Sequence, residues 1–259
     1  MIKVFKIGGN VIEDTLMMDK FCRDFSGIAG PKVLVHGGGV LASKLQDRLG
    51  QTVRMHKGRR ITDEDALKAV TMTYAGWCNK TLTATLQKYG CNAIGLAGCD
   101  ANIIKAHRRK PMAMDGDDEI IDFGYVGDIM AEDINADFLK TLIELDITPV
   151  LCAINHDGNG QLLNTNADTI ASCIASVLEG ELFCCFELDG VLTDKDNPSS
   201  ILDTVSAGKF ESLKAAGTVQ GGMIPKITAC LEALKNGAAS AVIKNASRIG
   251  DDSGTRITL

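Results

Sequence analysis

Ile2-Lys3-Val4-Phe5-Lys6-Ile7-Gly8-Gly9-Asn10 and Lys32-Val33-Leu34-Val35-His36-Gly37-Gly38-Gly39 decide how this chain folds. Each is an apolar run that stops in glycines and is followed by helix-compatible sequence, residues 11–25 and 40–49. A buried strand, a glycine turn and a helix open a βα unit, and repeating that unit specifies a parallel sheet covered by helices. The glycines also let backbone N–H groups approach an anion without a Cβ in the way, and the following helix adds its positive end. Lys6 stands two residues before Gly8-Gly9, where strand alternation sends it out at the carboxyl edge of the sheet. A lysine so near the end of an apolar strand is costly unless it meets an anion.

Outward from these units the βα rhythm continues, with one interruption. Residues 62–89 read as a long helix opening on a capping-box pattern, Thr62-Asp63-Glu64-Asp65. Between 93 and 130, two apolar pieces (93–96 and 103–106) precede a polar insert at 108–119 and a glycine-spaced run at 120–130. That pattern suggests hairpins on an otherwise parallel sheet. The rhythm then resumes with a helix at 131–145, a strand at 148–152, a turn at 157–160 and a helix at 166–178. A strand at 182–188, a loop at 194–200, helices at 209–216 and 223–236, and strands at 240–243 and 255–259 follow. No repeat or Pro-rich linker divides the chain. The expectation is a single domain over residues 1–259, a three-layer α/β/α sandwich around an open, mainly parallel sheet.

Composition narrows the function. The 259 residues are 45% hydrophobic and 23% charged, ordinary for a soluble globular protein. A net charge of −6 argues against nucleic acid or an anionic membrane as partner. Positive charge is instead concentrated locally, at Arg54, His56, Lys57, Arg59 and Arg60. The nine cysteines form no CxxC pair and no zinc spacing, and most lie in apolar runs, so they read as reduced core thiols. No secretory leader or membrane-length apolar run is visible, so a cytoplasmic location is expected.

Three further segments share the character of the glycine loops: Gly58-Arg59-Arg60-Ile61-Thr62, Asn164-Thr165-Asn166-Ala167-Asp168 and Gly221-Gly222-Met223-Ile224-Pro225-Lys226. Arg60 is either a solvated charge or a fork for a carboxylate. The 164–168 run is either a helix cap or a site, yet a cap needs one such residue and this run has three. Lys226 opens a helix behind two glycines and would add a second positive charge to a phosphate site. His36 is a candidate general base, but a loop-orienting role suits it better. No G-x-x-x-x-G-K-[ST] occurs. Gly37-Gly38-Gly39-Val40-Leu41-Ala42 satisfies a loose dinucleotide spacing, and with Arg59 it supports an NADP-dependent oxidoreductase as a rival. That rival leaves Lys6 and Lys226 without a task.

Taken in order, the five segments resemble the amino acid kinase family, and the likeness runs from Lys6-Ile7-Gly8-Gly9-Asn10 through Gly124-Tyr125-Val126-Gly127 to Gly254-Thr255-Arg256-Ile257. The resemblance implies an eight-stranded, mainly parallel sheet. An N-terminal lobe of about 1–165 would take an acyl-amino acid, and a C-terminal lobe of about 166–259 would take ATP. The implied reaction is ATP-dependent phosphorylation of the γ-carboxylate of N-acetyl-L-glutamate, in arginine biosynthesis. Lys6 and Lys226 would then stabilise the transferring phosphoryl group, with Asp168 holding both. Gly8, Gly9, Glu187, Gly190 and Gly222 would serve the nucleotide and its phosphates. Gly38, Gly39, Arg60 and Asn164 would hold the acyl-amino acid. Mg²⁺ would ride mainly on ATP oxygens, with no metal cage of protein ligands.

Two departures mark this chain. Arg59 stands where the family commonly has a small or apolar residue. It either points into solvent or pairs with a second carboxylate, as in N-succinyl-L-glutamate. Glu187 stands where an Asp is common. Arginine-inhibited members carry an extra N-terminal helix, and here a strand begins at residue 2, so no arginine feedback is expected. A homodimer through residues 62–89 is expected, with Tyr74 and Trp77 at the contact unless they are core. Related kinases acting on uridylate, carbamate or aspartate share the implied fold, but Arg60 and the 164–168 run suit an acyl-glutamate better, and a non-catalytic metabolite sensor is a further alternative.

Overall fold

The computed structural model describes residues 1–114, 119–194, 196–197 and 199–259. The centre of the expected polar insert (115–118) and two positions of the 194–200 loop lie outside the described residues. In chain order the first half runs β1 Lys3–Ile7, α1 Gly9–Glu13, α2 Thr15–Gly27, β2 Lys32–His36, α3 Gly39–Arg48, β3 Met55–His56, β4 Arg59–Arg60 and α4 Glu64–Thr71. A π-helical turn, Met72–Cys78, joins α4 to α5 Asn79–Lys88. There follow β5 Ala93–Leu96, β6 His107–Arg108, β7 Gly127–Asp128, α6 Ala136–Glu144, β8 Thr148–Cys152 and the short hairpin β9 Ile154–His156 with β10 Leu162–Asn164. The chain closes with α7 Ala167–Val177, β11 Glu181–Phe186, β12 Thr204–Ser206, α8 Ala207–Ala215, α9 Met223–Lys235, β13 Ser240–Asn245 and β14 Thr255–Thr258.

Eight strands form the central sheet in the order β12-β14-β13-β11-β1-β2-β8-β5. Every neighbouring pair is parallel except β13–β14. Strand alternation sorts the core onto two faces. Val4, Val33 and Val35 join Ile170 and Ile174 of α7 and Ile227 and Leu231 of α9 on one face. Phe5, Ile7 and Leu34 join Phe21 and Phe25 of α2 and Leu82 and Leu86 of α5 on the other. Phe5 stacks on Phe183 at 4.8 Å and meets the edge of Phe25 at 5.2 Å. Val4 and Lys6 share a face, so the sheet itself aims Lys6 at the α7 side.

Several boundaries differ from the sequence reading, each for a local reason. The helix expected over 11–25 is broken at Asp14, whose Oδ1 accepts from the N–H of Leu16 and of Met17 at 3.0 Å and so caps α2. The long helix over 62–89 is a composite with a π turn at its centre, and its cap is Asp63, not Thr62. Thr62 is taken instead by the 123–125 segment, with its N–H on Phe123 O at 2.9 Å and its O on Tyr125 N at 2.7 Å. The helix expected from 131 begins with a 3-10 turn at Ala131–Asp133 and becomes α6 only at Ala136, capped by Asn135. Residues 103–106 form single bridges rather than a strand, and β10 and β12 were not foreseen. All nine cysteines are free thiols, and seven are buried.

Candidate active site

Lys6 leaves β1 beside Gly8-Gly9, and α7 packs across that face of the sheet. The arrangement brings Lys6 Nζ to 2.7 Å from Asp168 Oδ1, with both side chains almost removed from solvent. Burial alone would depress the Lys6 ammonium. Asp168, by charge and hydrogen bond, outweighs that and holds the lysine above its ordinary value, hence fully charged. Asn166 settles what the 164–168 run does: its side chain accepts from Asp168 N at 2.7 Å and caps α7. The cap therefore needs only Asn166, and its neighbours are released for other work.

The triglycine turn is held from behind. His36 is fully buried, with Nδ1 2.7 Å from Gly37 O and Nε2 3.1 Å from Asn79 Nδ2. Burial lowers its pKa to about 4, and the Gly37 hydrogen bond only partly offsets that, so at neutral pH the ring is uncharged. With both nitrogens engaged and no cavity contact, His36 is not a general base. Gly38 lies so close to Tyr74 and Cys78 that a Cβ there would meet Tyr74 Cδ1 at 2.8 Å and Cys78 Sγ at 3.1 Å. Tyr74 is 6% exposed and lines the cavity, so the core alternative holds for it and it is not at a surface contact. Trp77 is 70% exposed.

Arg60 is buried and fixed on three sides. It donates to Gln46 Oε1, to Gly39 O at 2.9 Å and to Ser43 Oγ at 2.7 Å. This arginine is no solvated surface charge. Asn164 reaches the same place from β10, donating to Thr62 Oγ1 at 3.1 Å. The backbone N–H of Asn164 donates to Tyr125 O, so the 123–125 segment ties Thr62 and Asn164 together. Gly124 is required for that closeness. Its φ is +71°, and a Cβ would sit 2.3 Å from Thr62 O.

These groups converge on one cavity of about 460 Å³, in the range of small-molecule sites. Lys6, Gly8, Gly9, Gly38, Gly39, Arg60, Asn164 and Asp168 all line it. Arg59 lines it too, although the residue is largely exposed. Arg109, from the polar insert, was not singled out in the sequence. It lines the cavity while pairing with Asp128 through Nε at 3.1 Å and Nη2 at 2.5 Å. Partial burial first, and then the charge of Arg109, lower the Arg59 pKa, while Asp128 opposes them.

Glu187, Gly190, Gly222 and Lys226 lie outside this cavity, on the side of the C-terminal strands. Lys226 Nζ donates to Gly222 O at 2.9 Å and sits 5.4 Å from the Phe186 ring centre. Burial and then repulsion from Lys6 lower its pKa, and Asp168 partly compensates. Asp168 therefore ion-pairs with Lys6 but acts on Lys226 only at a distance. Glu187 Oε1 accepts from Asn10 Nδ2 at 3.0 Å, spanning β11 and the start of α1. Gly190 packs on the closing strand, where a Cβ would lie 2.5 Å from Thr255 Oγ1. Among the described residues, no group of three or more His, Cys, Asp or Glu forms a metal-holding cluster. No helix among them is long and apolar enough to cross a membrane.

Comparison with known proteins agrees with this geometry. The model of the amino acid kinase family matches residues 1–245. A protein of Phocaeicola vulgatus named acetylglutamate kinase is 43% identical, over 99% of this chain and 98% of its own. A protein of the same name from Methanopyrus kandleri is 34% identical over 98% of this chain and 99% of its own. Among solved structures, an N-acetylglutamate synthase of Neisseria gonorrhoeae complexed with coenzyme A and N-acetyl-glutamate superposes with a TM-score of 0.79 at 22% identity. It covers 99% of this chain, which spans 59% of that longer one. Carbamate kinase of Giardia lamblia bound to AMP-PNP superposes with a TM-score of 0.70 at 16% identity, over 99% of this chain and 97% of its own. At such identities the superpositions speak for the fold alone. The matched family and the relatives' end-to-end identity establish that this chain belongs to the amino acid kinase family.

Proposed function

We propose that this protein transfers the γ-phosphoryl group of ATP to the side-chain carboxylate of N-acetyl-L-glutamate, giving N-acetyl-L-glutamyl 5-phosphate and ADP in arginine biosynthesis. The observation that carries this reading is the buried Lys6–Asp168 pair, set between two glycine loops in the cavity that also holds Arg60 and Asn164. The shared name of the relatives points to the same acceptor.

The chemistry asks little of the protein beyond alignment and charge. A glutamate side chain, with a pKa of about 4.3, is already ionised at neutral pH, so no base is needed to activate it. One carboxylate oxygen attacks the γ-phosphorus while the bond from phosphorus to the ADP bridging oxygen breaks, and the electron pair leaves with ADP. No proton moves. Lys6, kept charged by Asp168, neutralises the equatorial oxygens, and the amides of the glycine loops supply preorganised donors. Lys226 approaches from the nucleotide side. Arg60 and Asn164 hold the amino acid's carboxylate and acyl ends. The donor set fits ATP with Mg²⁺ as part of the substrate: two lysines and glycine amides would face phosphate, and Asp168 and Glu187 are the carboxylates that act on Lys226. When bound, Mg²⁺ supplies charge neutralisation between phosphate oxygens.

The sheet order suits a division of labour. Strands β11–β14 lie to one side of β1 and the N-terminal strands to the other. On this reading the first half, about 1–165, accepts the acyl-amino acid and the second half, about 166–259, accepts ATP. The exposed Trp77, beside Gly76, Thr81 and Ala84, is the surface for a homodimer. On this reading the enzyme works in the cytoplasm.

One observation supports a second acceptor. Arg59 and Arg109 add two guanidinium groups to a cavity in which Arg60 already serves one carboxylate. A second carboxylate, as in N-succinyl-L-glutamate, would meet them. The test is coupled ADP release with MgATP and each acyl-glutamate in turn. Turnover with N-acetyl-L-glutamate supports the first reading. A preference for N-succinyl-L-glutamate that disappears in Arg59→Leu supports the second. An enzyme silent on both would move the reading to a related kinase of the same family or to a non-catalytic sensor, and turnover of another acceptor would choose between them.

A further inference from the structure

The His36–Asn79 pair sits behind the cavity rather than in it, and its hydrogen bonds determine where one proton lies. Asn79 Nδ2 is 2.9 Å from Val150 O as well as 3.1 Å from His36 Nε2. A backbone carbonyl can only accept, so the atom facing it is the amide nitrogen, a donor. Nε2 of His36 must then accept, and the ring proton lies on Nδ1, donated to Gly37 O at 2.7 Å. This is the tautomer that free histidine disfavours.

A trans peptide carries its carbonyl and the next N–H on opposite sides. Holding Gly37 O toward the buried imidazole therefore turns Gly38 N–H away from it. Gly37, Gly38 and Gly39 all line the cavity. The π turn has a part in this. In an α-helix, residue i+5 is rotated about 140° from residue i, whereas the π register bonds i to i+5, here Asn79 N–H to Tyr74 O, and brings the two toward one face. That register lets Tyr74 press on Gly38 while Asn79 reaches His36.

We propose that His36, fixed by Asn79, is a positioning residue that sets the Gly37–Gly38 peptide so that Gly38 N–H serves the cavity as a donor to an anionic oxygen. The anion is the acceptor's carboxylate or the transferring phosphoryl group, and this part of the inference rests on the kinase reading above. The imidazole touches no substrate.

Two measurements on the full chain test it. The first is ¹⁵N-detected NMR of the histidine rings near pH 7, with His36 assigned by its loss in His36→Leu. A neutral ring protonated on Nδ1 is expected, and an Nε2-protonated ring overturns the proposal. Turnover in the proposed assay plays no part in this readout, so a wild type without kinase activity would defeat the kinase reading and leave the tautomer to decide on His36. The second compares His36→Leu with His36→Asn, whose side-chain amide keeps a donor close to the position of Nδ1. His36→Leu should lower kcat about 10- to 100-fold with little change in the KM for MgATP, and His36→Asn should recover most of that loss. If His36→Leu fails to fold, Asn79→Leu takes its place and should show the same split. Equal kcat per folded molecule in Leu and Asn variants, with only thermal stability differing, would mean that His36 merely fills space.

Discussion

At the scale of the residue, the chemistry depends on a few buried charges and on what neutralises them. Asp168→Asn leaves Lys6 buried beside a neutral amide, and burial then acts on the lysine unopposed. The expected outcome is a fall in kcat of about 10²- to 10³-fold, with a stability loss of about 3 kcal/mol in urea titrations. Lys6 itself has a raised pKa in the folded state. Its pairing contributes stability that is fully present below 10.5, the unfolded value, and is lost as pH rises through the folded value. His36 works in the opposite direction. Its pKa falls from 6.5 to about 4 on folding, so between those values the unfolded chain binds a proton that the native state refuses. Stability should therefore fall by roughly 3 kcal/mol as pH drops across that window. Urea titrations at pH 7, 5.5 and 4.5 check this, and His36→Asn should flatten that component of the slope. The charge of Lys80 adds to the lowering that burial causes.

At the scale of the element, the parallel core was legible in the sequence and the connections around it were not. Strands such as Val33-Leu34-Val35 are buried on both faces, so they read as continuous apolar runs that only a covered sheet can satisfy. The glycines that end β1 and β2 marked the carboxyl edge, and Lys6, Arg60, Asn164 and Asp168 came with them. The π turn left no such signal, because it differs from an α-helix only in hydrogen-bond register. The sequence therefore left Tyr74 open between a subunit contact and the core, and it is the floor under Gly38. Arg109 was hidden for another reason. It arrives from a polar insert about 50 residues downstream of Arg59, brought in by the bridges around 124–128. Gly38→Ala tests the fit of turn and helix directly. The added methyl must displace the buried Tyr74 or the loop, so activity per folded molecule should fall at least about 10-fold in steady-state assays.

At the scale of the whole molecule, the order β12-β14-β13-β11-β1-β2-β8-β5 puts the two glycine loops of the cavity near the middle of the sheet, after the neighbouring strands β1 and β2. An acidic protein with a net charge of −6 nonetheless gathers Arg59, Arg60, Arg109 and Lys6 in one cavity, which draws anionic ligands to that edge. The homodimer proposed above would use the exposed face at Trp77. Trp77→Arg should convert a dimer to a monomer in sedimentation velocity, and a wild type that is monomeric at micromolar concentration would contradict that assignment. The central claim is that the acceptor's own carboxylate oxygen attacks the phosphorus. N-acetyl-L-glutamate labelled with ¹⁸O in its side-chain carboxylate, incubated with MgATP and then cleaved by hydroxylamine, tests it most directly. The account predicts a γ-hydroxamate and inorganic phosphate carrying one ¹⁸O. ADP formed with unlabelled phosphate and no hydroxamate would mean that water is the nucleophile, and would contradict it.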